Sequence, residues 1–289
     1  MGRKLYKNNN TVRDIFNRVD DLLRYKLTKI MFKGPEDELR QTKNSQIAIF
    51  ILSYCLYQLL NIQPDMAAGH SLGEFTALVS AEALTFDDAL QLVKVRAEAM
   101  QSAATLSKGT MAAILGFDEG LVEDICSKVR ASIGIIQIAN FNCPGQVVIS
   151  GSPEAVDEVI KQTKERGALF VKKLNVSGAF HSPLMGIAQP KLAEALKETP
   201  IQSPKFPVYA NVTGRPFTDA DNIRLSLPKQ LISPVQWQKT VQQMISDGAD
   251  EIIEVGPGDV LQGLCRRISK GINIRGVCDL ASIEAFCER

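Results

Sequence analysis

The five residues Gly69-His70-Ser71-Leu72-Gly73 constrain this chain more than any other stretch. They follow a short apolar run, Asp65 to Gly69, and lead into the helix formers Glu74 to Ala81, so the local order is strand, sharp turn, helix. Glycines flank the serine because a turn this tight leaves no space for side-chain bulk. A serine on such a turn is exposed at the end of a strand and at the start of a helix, where unpaired N–H groups and the helix dipole favour an anionic oxygen. Ser71 is therefore the candidate nucleophile, and the Leu72 N–H a candidate oxyanion donor.

A nucleophilic serine needs a base, and the chain has only two histidines. His70 lies inside the turn and would point away from its neighbour's hydroxyl. His181, in the polar, turn-rich segment Ser177 to Met185, is the better candidate. Its bland alternative is a capping or surface histidine. A carboxylate ahead of His181 would complete the triad of a serine esterase.

The surrounding pattern is α/β. Val12, Ile15, Phe16, Val19, Leu22 and Leu23 recur at helical spacing, so the chain opens on helices, and Ile47 to Leu60 reads as a buried helix. From Gly109 the elements shorten. Met111 to Phe117 reads as strand, Glu119 to Ala131 as helix, Gly134 to Asn142 and Gln146 to Ser150 as strands, Pro153 to Arg166 as helix and Ala168 to Asn175 as strand. This βαββαβ order is ferredoxin-like. The expected organisation is an α/β-hydrolase-like core with a mostly parallel sheet, residues 1–108 and 178–289, interrupted by a small ferredoxin-like subdomain, residues 109–177. Further strands are expected over Phe206 to Val212 and Glu251 to Val255, with helices over Ile223 to Ile232 and Val235 to Asp247.

Composition excludes several functions. A net charge of +1 advertises neither nucleic acid nor an anionic membrane as partner. The apolar run from Ile47 is shorter than the roughly 20 residues a bilayer-spanning helix needs, so no membrane association is expected. Six scattered cysteines without a C-x-x-C pair fit neither a zinc site nor a disulfide framework.

The chain also resembles a known family, the malonyl-CoA:acyl-carrier-protein transacylases and related acyltransferase domains of fatty-acid and polyketide synthesis. The resemblance runs from Met1 to about Ile268. It rests on Gly-His-Ser-Leu-Gly-Glu-Phe (69–75), Arg96 in Val-Lys-Val-Arg, Asn142-Cys-Pro-Gly-Gln146, Gly178-Ala-Phe-His-Ser-Pro183, Asn211-Val-Thr-Gly214, Pro234-Val-Gln-Trp237 and Glu254-Val-Gly-Pro-Gly258. It implies that Ser71 carries the malonyl group as an ester, that His181 is its base and that Arg96 pairs with the malonyl carboxylate. Without the resemblance, Arg96 would read as a helix-surface ion pair with Glu98 or Asp88. The resemblance further implies that the peptide oxygen of Gln230 orients the imidazole in place of a carboxylate. Phe180 and His70 are implied at the substrate pocket, Phe180 by leaving no space for a methyl branch; Met100, one helical turn beyond Arg96, reads equally as pocket lining or as plain core.

No tightly bound cofactor or metal is implied; malonyl-CoA and a phosphopantetheine thiol are the substrates and acyl-carrier protein the partner of an expected monomer. Lys172-Lys173 and Arg266-Arg267 with Lys270 are candidate docking charges for an acidic carrier. A cytoplasmic or an organellar setting both fit. The chain's start, Met1-Gly-Arg-Lys-Leu-Tyr6, resembles the segment just after the family's opening strand and Gly-Gln-Gly loop, the source of a second oxyanion donor, so that strand and loop are expected to be missing from this sequence. Such a loss is expected to cost about 2.7–4 kcal/mol of transition-state stabilisation and to leave sheet edges unpaired. Either the sequence is shortened relative to the working protein or its activity is weak or lost, so a non-catalytic carrier-binding module stands as a third reading beside transferase and esterase.

Overall fold

The computed structural model describes residues 1–288. Five helices open the chain: α1 (Arg3–Asn8), α2 (Asn10–Leu23), α3 (Leu27–Lys33), α4 (Glu36–Arg40) and α5 (Thr42–Leu60). Because α5 is apolar on nearly every face, it lies inside the molecule, with Ile47, Phe50, Ile51, Cys55 and Leu56 almost wholly buried. Each of the Ile, Phe and Leu side chains contributes about 1.5–3 kcal/mol by leaving water. Its polar Gln46 is also buried, which matters below.

Next come β1 (Ala67–Ala68), α6 (Gly73–Ser80) and the long α7 (Phe86–Leu106), which lies against α5. Thr85 caps α7 by accepting the Asp88 N–H. The middle of the chain supplies β2 (Thr110–Leu115), α8 (Glu119–Ser132), β3 (Ile136–Cys143), β4 (Gln146–Gly151), α9 (Pro153–Glu165) and β5 (Phe170–Lys173). Their four strands form one antiparallel sheet in the order β3-β4-β2-β5. Alternating residues such as Ala112, Ile114, Ile136, Ile138, Val147 and Ile149 face α8 and α9 in a core of their own.

After a 3₁₀ turn at Pro183–Ala188 the chain adds α10 (Gln189–Glu198), β6 (Val208–Tyr209), α11 (Ala220–Gln230), α12 (Trp237–Ser246), β7 (Glu251–Val255), α13 (Val260–Ile268), β8 (Asn273–Val277) and α14 (Leu280–Cys287). The strands outside the middle segment pair in parallel, as the two ladders β1-β6 and β7-β8 among the described residues. The architecture is α/β. No helix among the described residues is long and apolar enough to cross a membrane.

Several elements differ from expectation. The strands expected over Asp65 to Gly69 and Phe206 to Val212 shrink to two residues each, since only Ala67 and Ala68 pair, with Val208 and Tyr209. The helix expected from Val235 starts at Trp237, because Val235 instead exchanges backbone hydrogen bonds with Ala139 and Phe141 beside β3. The helix expected to reach Ile232 ends at Gln230.

Candidate active site

Ser71 occupies the turn between β1 and α6, with φ at 51°. The turn closes because Gly69 touches the following helix: a Cβ at Gly69 would stand 1.9 Å from the Gly73 carbonyl carbon. Asn211, just past β6, holds the turn from outside. Its Oδ1 accepts the Ser71 N–H at 2.6 Å and its Nδ2 donates to the Gly69 carbonyl at 2.7 Å. The Leu72 N–H donates to no described group.

His181 arrives from the segment after β5, also at positive φ, 56°. Its Nε2 lies 2.8 Å from Ser71 Oγ and its Nδ1 2.8 Å from the Gln230 carbonyl. A carbonyl can only accept, so Nδ1 carries the proton and Nε2 presents its lone pair to the hydroxyl. Burial, reinforced by the Arg96 cation, drops the imidazole pKa to about 3, which keeps the ring neutral. No carboxylate occupies the third position; the Gln230 peptide does, from the last residue of α11.

Arg96 projects from the middle of α7 and is 1% exposed, so it is not the surface ion pair its sequence neighbours allowed. Nη1 donates to Gln46 Oε1 at 2.5 Å, and Nη2 donates to Gln230 Oε1 at 2.8 Å and to Ser71 Oγ at 2.9 Å. Its Nε has no hydrogen-bond partner among the described residues. Phe75 lies beneath the guanidinium, 5.8 Å from ring centroid to Cζ.

Under this layer lies Glu74, fully buried. One carboxylate oxygen accepts the Asn211 N–H at 3.2 Å and the other accepts Gln230 Nε2, which also donates to the Ser71 carbonyl. Burial raises the Glu74 pKa to about 7, against the opposing pull of these hydrogen bonds and of Arg96. Gln230 thus works at both ends: its peptide oxygen meets His181, and its side chain links Glu74 to Arg96.

The remaining expected residues are more distant from the hydroxyl. Met100 is buried and meets the site through Gln46, whose Nε2 lies 3.4 Å from its sulfur. Half-buried Phe180 packs between the main core and the cluster of Met111, Ala139 and Val148. His70 turns the other way, with Nε2 3.1 Å from Asn142 Oδ1 and its ring beside Trp237. Glu74, Gln46, Asn211 and Asn142 carried no assigned role in the sequence reading. Gln46 gave no signal of its role, because it ends the polar run Thr42 to Gln46 that opens α5. The described residues contain no cluster of three or more His, Cys, Asp or Glu side chains that could hold a metal ion.

An α/β fold with a serine on a strand–helix turn, touched by a neutral imidazole and a buried guanidinium, has the residue set of a serine-dependent acyl-transfer enzyme. Comparison with known proteins makes this specific: the chain belongs to the acyl transferase domain family, which matches residues 1–277. It is 37% identical over 289 residues to the malonyl CoA-acyl carrier protein transacylase of Staphylococcus aureus strain MRSA252, covering all of this chain and 94% of that protein. The transacylase of that name from Bacillus subtilis strain 168 is 39% identical, with 98% and 90% covered. Among solved structures, the acyl-carrier-protein S-malonyltransferase of Bartonella henselae superposes with a TM-score of 0.95 at 37% identity, covering 100% and 94% of the two chains. A malonyl-transacylase solved in complex with its type II PKS acyl-carrier protein gives 0.95 at 36% identity, with the same coverage.

Proposed function

We propose that this protein moves a malonyl group from malonyl-CoA to the pantetheine thiol of an acyl-carrier protein through an ester on Ser71. The observation that carries the reading is that one oxygen, Ser71 Oγ, lies 2.8 Å from a neutral imidazole nitrogen and 2.9 Å from a buried guanidinium nitrogen. In the first half-reaction Ser71 Oγ attacks the thioester carbonyl and His181 Nε2 takes its proton. The carbon–sulfur bond breaks, and the proton leaves with the coenzyme A thiol. In the second half-reaction His181 takes the carrier thiol's proton, the sulfur attacks the ester carbonyl, the carbon–oxygen bond to Ser71 breaks, and the proton returns to Ser71 Oγ. The Leu72 N–H faces the developing oxyanion.

Arg96 separates this reaction from that of a general esterase. Its planar fork is held by Gln46 and Gln230, leaving the second Nη1 proton and the Nη2 proton now on Ser71 Oγ for the free carboxylate of the acyl group. Phe180 and Met100 bound the acyl pocket and His70 its rim. Gln230 takes the place of a triad carboxylate, which speaks against the esterase reading.

In the same reading the core is α/β-hydrolase-like, with residues 109–177 as a ferredoxin-like subdomain. The β3-β4-β2-β5 order and the two helices on one face support that division. Among the candidate docking charges, Lys173 is engaged by Asp157 at 2.6 Å, whereas Arg267 leans over Gln146 and Pro144 and Arg266 over Gln262. The decisive experiment is intact-mass spectrometry after incubation with malonyl-CoA. A malonyl adduct on the protein, absent from Ser71→Ala, is expected, and a folded protein without the adduct would reject the assignment.

A further inference from the structure

Ser71 and His181 share an unusual property: both are non-glycine residues in the left-handed region, at φ of 51° and 56°. Such backbone costs on the order of 1–3 kcal/mol per residue and persists only where the surroundings over-determine it. Each is pinned by one side-chain amide from another element. For Ser71 the pin is Asn211. For His181 it is Gln137, half-buried on β3, which donates from Nε2 to the His181 carbonyl at 2.6 Å and to the Ile232 carbonyl at 2.9 Å.

A primary amide nitrogen has two protons, and here both are in use. Ile232 follows closely after Gln230, whose carbonyl accepts from His181 Nδ1 at 2.8 Å. One amide therefore fastens both the backbone that carries the imidazole and the turn that carries the carbonyl orienting it. The small sheet does not otherwise require a glutamine there. Residue 137 pairs with Ser150 across the ladder, while its neighbours Ile136 and Ile138 supply the apolar face toward α8 and α9.

We propose that Gln137 is a positioning residue for His181, fixing the imidazole between Ser71 Oγ and the Gln230 carbonyl from the neighbouring sheet. This rests on the reading of His181 as the base, but not on the identity of the acyl group. The test therefore uses a small alkyl fluorophosphonate, which needs no acyl donor. Ser71 Oγ bonds to phosphorus as the P–F bond breaks; the hydroxyl proton passes to His181 and fluoride departs.

Labelling rates are compared for the unsubstituted protein, Gln137→Met, Gln137→Glu, His181→Ala and the Gln137→Met/His181→Ala double variant. Gln137→Met keeps the side chain's size without its donors, and Gln137→Glu turns acceptors toward two carbonyls. A displaced base slows the reaction, so each substitution is expected to reduce labelling about tenfold or more when His181 is present. With His181→Ala as background, the effect of Gln137→Met is expected to shrink to less than about twofold. Equal effects in the two backgrounds, no effect in either, or loss of the cooperative unfolding transition in Gln137→Met would each overturn the assignment. So would an unsubstituted protein whose Ser71 does not label. Labelling in the expected pattern by a protein that takes no malonyl from malonyl-CoA would uphold Gln137 and reject only the acyl group proposed above.

Discussion

Arg96 Nη2 donates to the Ser71 hydroxyl at 2.9 Å, so the buried cation rests on the same oxygen that faces His181. In the proposed reaction an incoming carboxylate on the acyl chain would meet a guanidinium whose plane is already fixed by Gln46 and Gln230. An acyl chain without a carboxylate gains nothing from that preorganisation. Removing the fork should therefore act on one substrate class and largely spare the other.

For Arg96→Ala, malonyl transfer to Ser71 is expected to fall by about 3 kcal/mol of transition-state stabilisation, roughly a hundredfold, with a much smaller change for acetyl transfer. Arg96→Lys should restore little, since an ammonium cannot bridge Gln46, Gln230 and a carboxylate in one plane. Parallel rate measurements with malonyl-CoA and acetyl-CoA decide it, and equal losses would remove Arg96 from the carboxylate.

The close approach of Gly69 to Gly73 predicts a stability defect. A methyl group at position 69 would stand 1.9 Å from the Gly73 carbonyl carbon and 2.4 Å from the Glu74 nitrogen, both backbone atoms that cannot step aside alone. Gly69→Ala is expected to destabilise the fold by about 2 kcal/mol or more. Gly73→Ala, with open space at that point, should be far milder. Urea midpoints of the two variants should differ clearly, and matching midpoints would contradict the packing argument.

How much of this could be read in advance depended on whether the signal was local. The turn at Ser71 was legible because glycine, serine and the apolar-to-helical change sit within a few residues of one another. Likewise the alternation of β2, β3 and β4 placed those strands within two residues of their observed ends. Lengths of β1 and β6 were not legible: their pairing spans only Ala67–Val208 and Ala68–Tyr209, and apolar neighbours overstated them. Glu74 was hidden for another reason. A glutamate in the first turn of a helix ordinarily complements the dipole in water, whereas this one is buried by Asn211 and Gln230, which lie 137 and 156 residues away in the chain. The Gln137 contacts, spanning 44 and 95 residues, were equally invisible.

If an acidic carrier docks beside the site, Arg266 and Arg267 on α13 are the cations to test, with Lys173 occupied by Asp157. Exposed charges of this kind act chiefly on encounter and are screened by salt. Reversal to glutamate at both positions is expected to lower carrier-protein turnover several-fold at low ionic strength while leaving transfer to free pantetheine unchanged. A similar fall with both acceptors would rule out a docking role.

Glu74 gives the chain a pH signature whose sign can be worked out. Burial raises this carboxyl from its ordinary 4.5 to about 7, although hydrogen bonds from Asn211 and Gln230 and the nearby Arg96 all pull it down. Between those values the folded protein keeps a proton that the unfolded chain has released, so this contribution to stability is full below 4.5 and is lost as pH rises through about 7. His181 has the opposite sense. Lowered from 6.5 to about 3 by burial and then by Arg96, it contributes stability above 6.5 that is lost as pH falls toward 3. Glu74→Gln removes the first effect and leaves the second. It also sets an amide N–H₂ against either the Asn211 N–H or Gln230 Nε2, both donors, at a cost of about 1–3 kcal/mol. Urea unfolding at about pH 5 and about pH 8 should therefore show the unsubstituted protein more stable than Glu74→Gln at the lower pH, with the gap narrowing at the higher. A gap that stays constant or widens would mean that Glu74 is already ionised in the folded protein throughout this range, with the Arg96 charge and the two hydrogen bonds outweighing its burial.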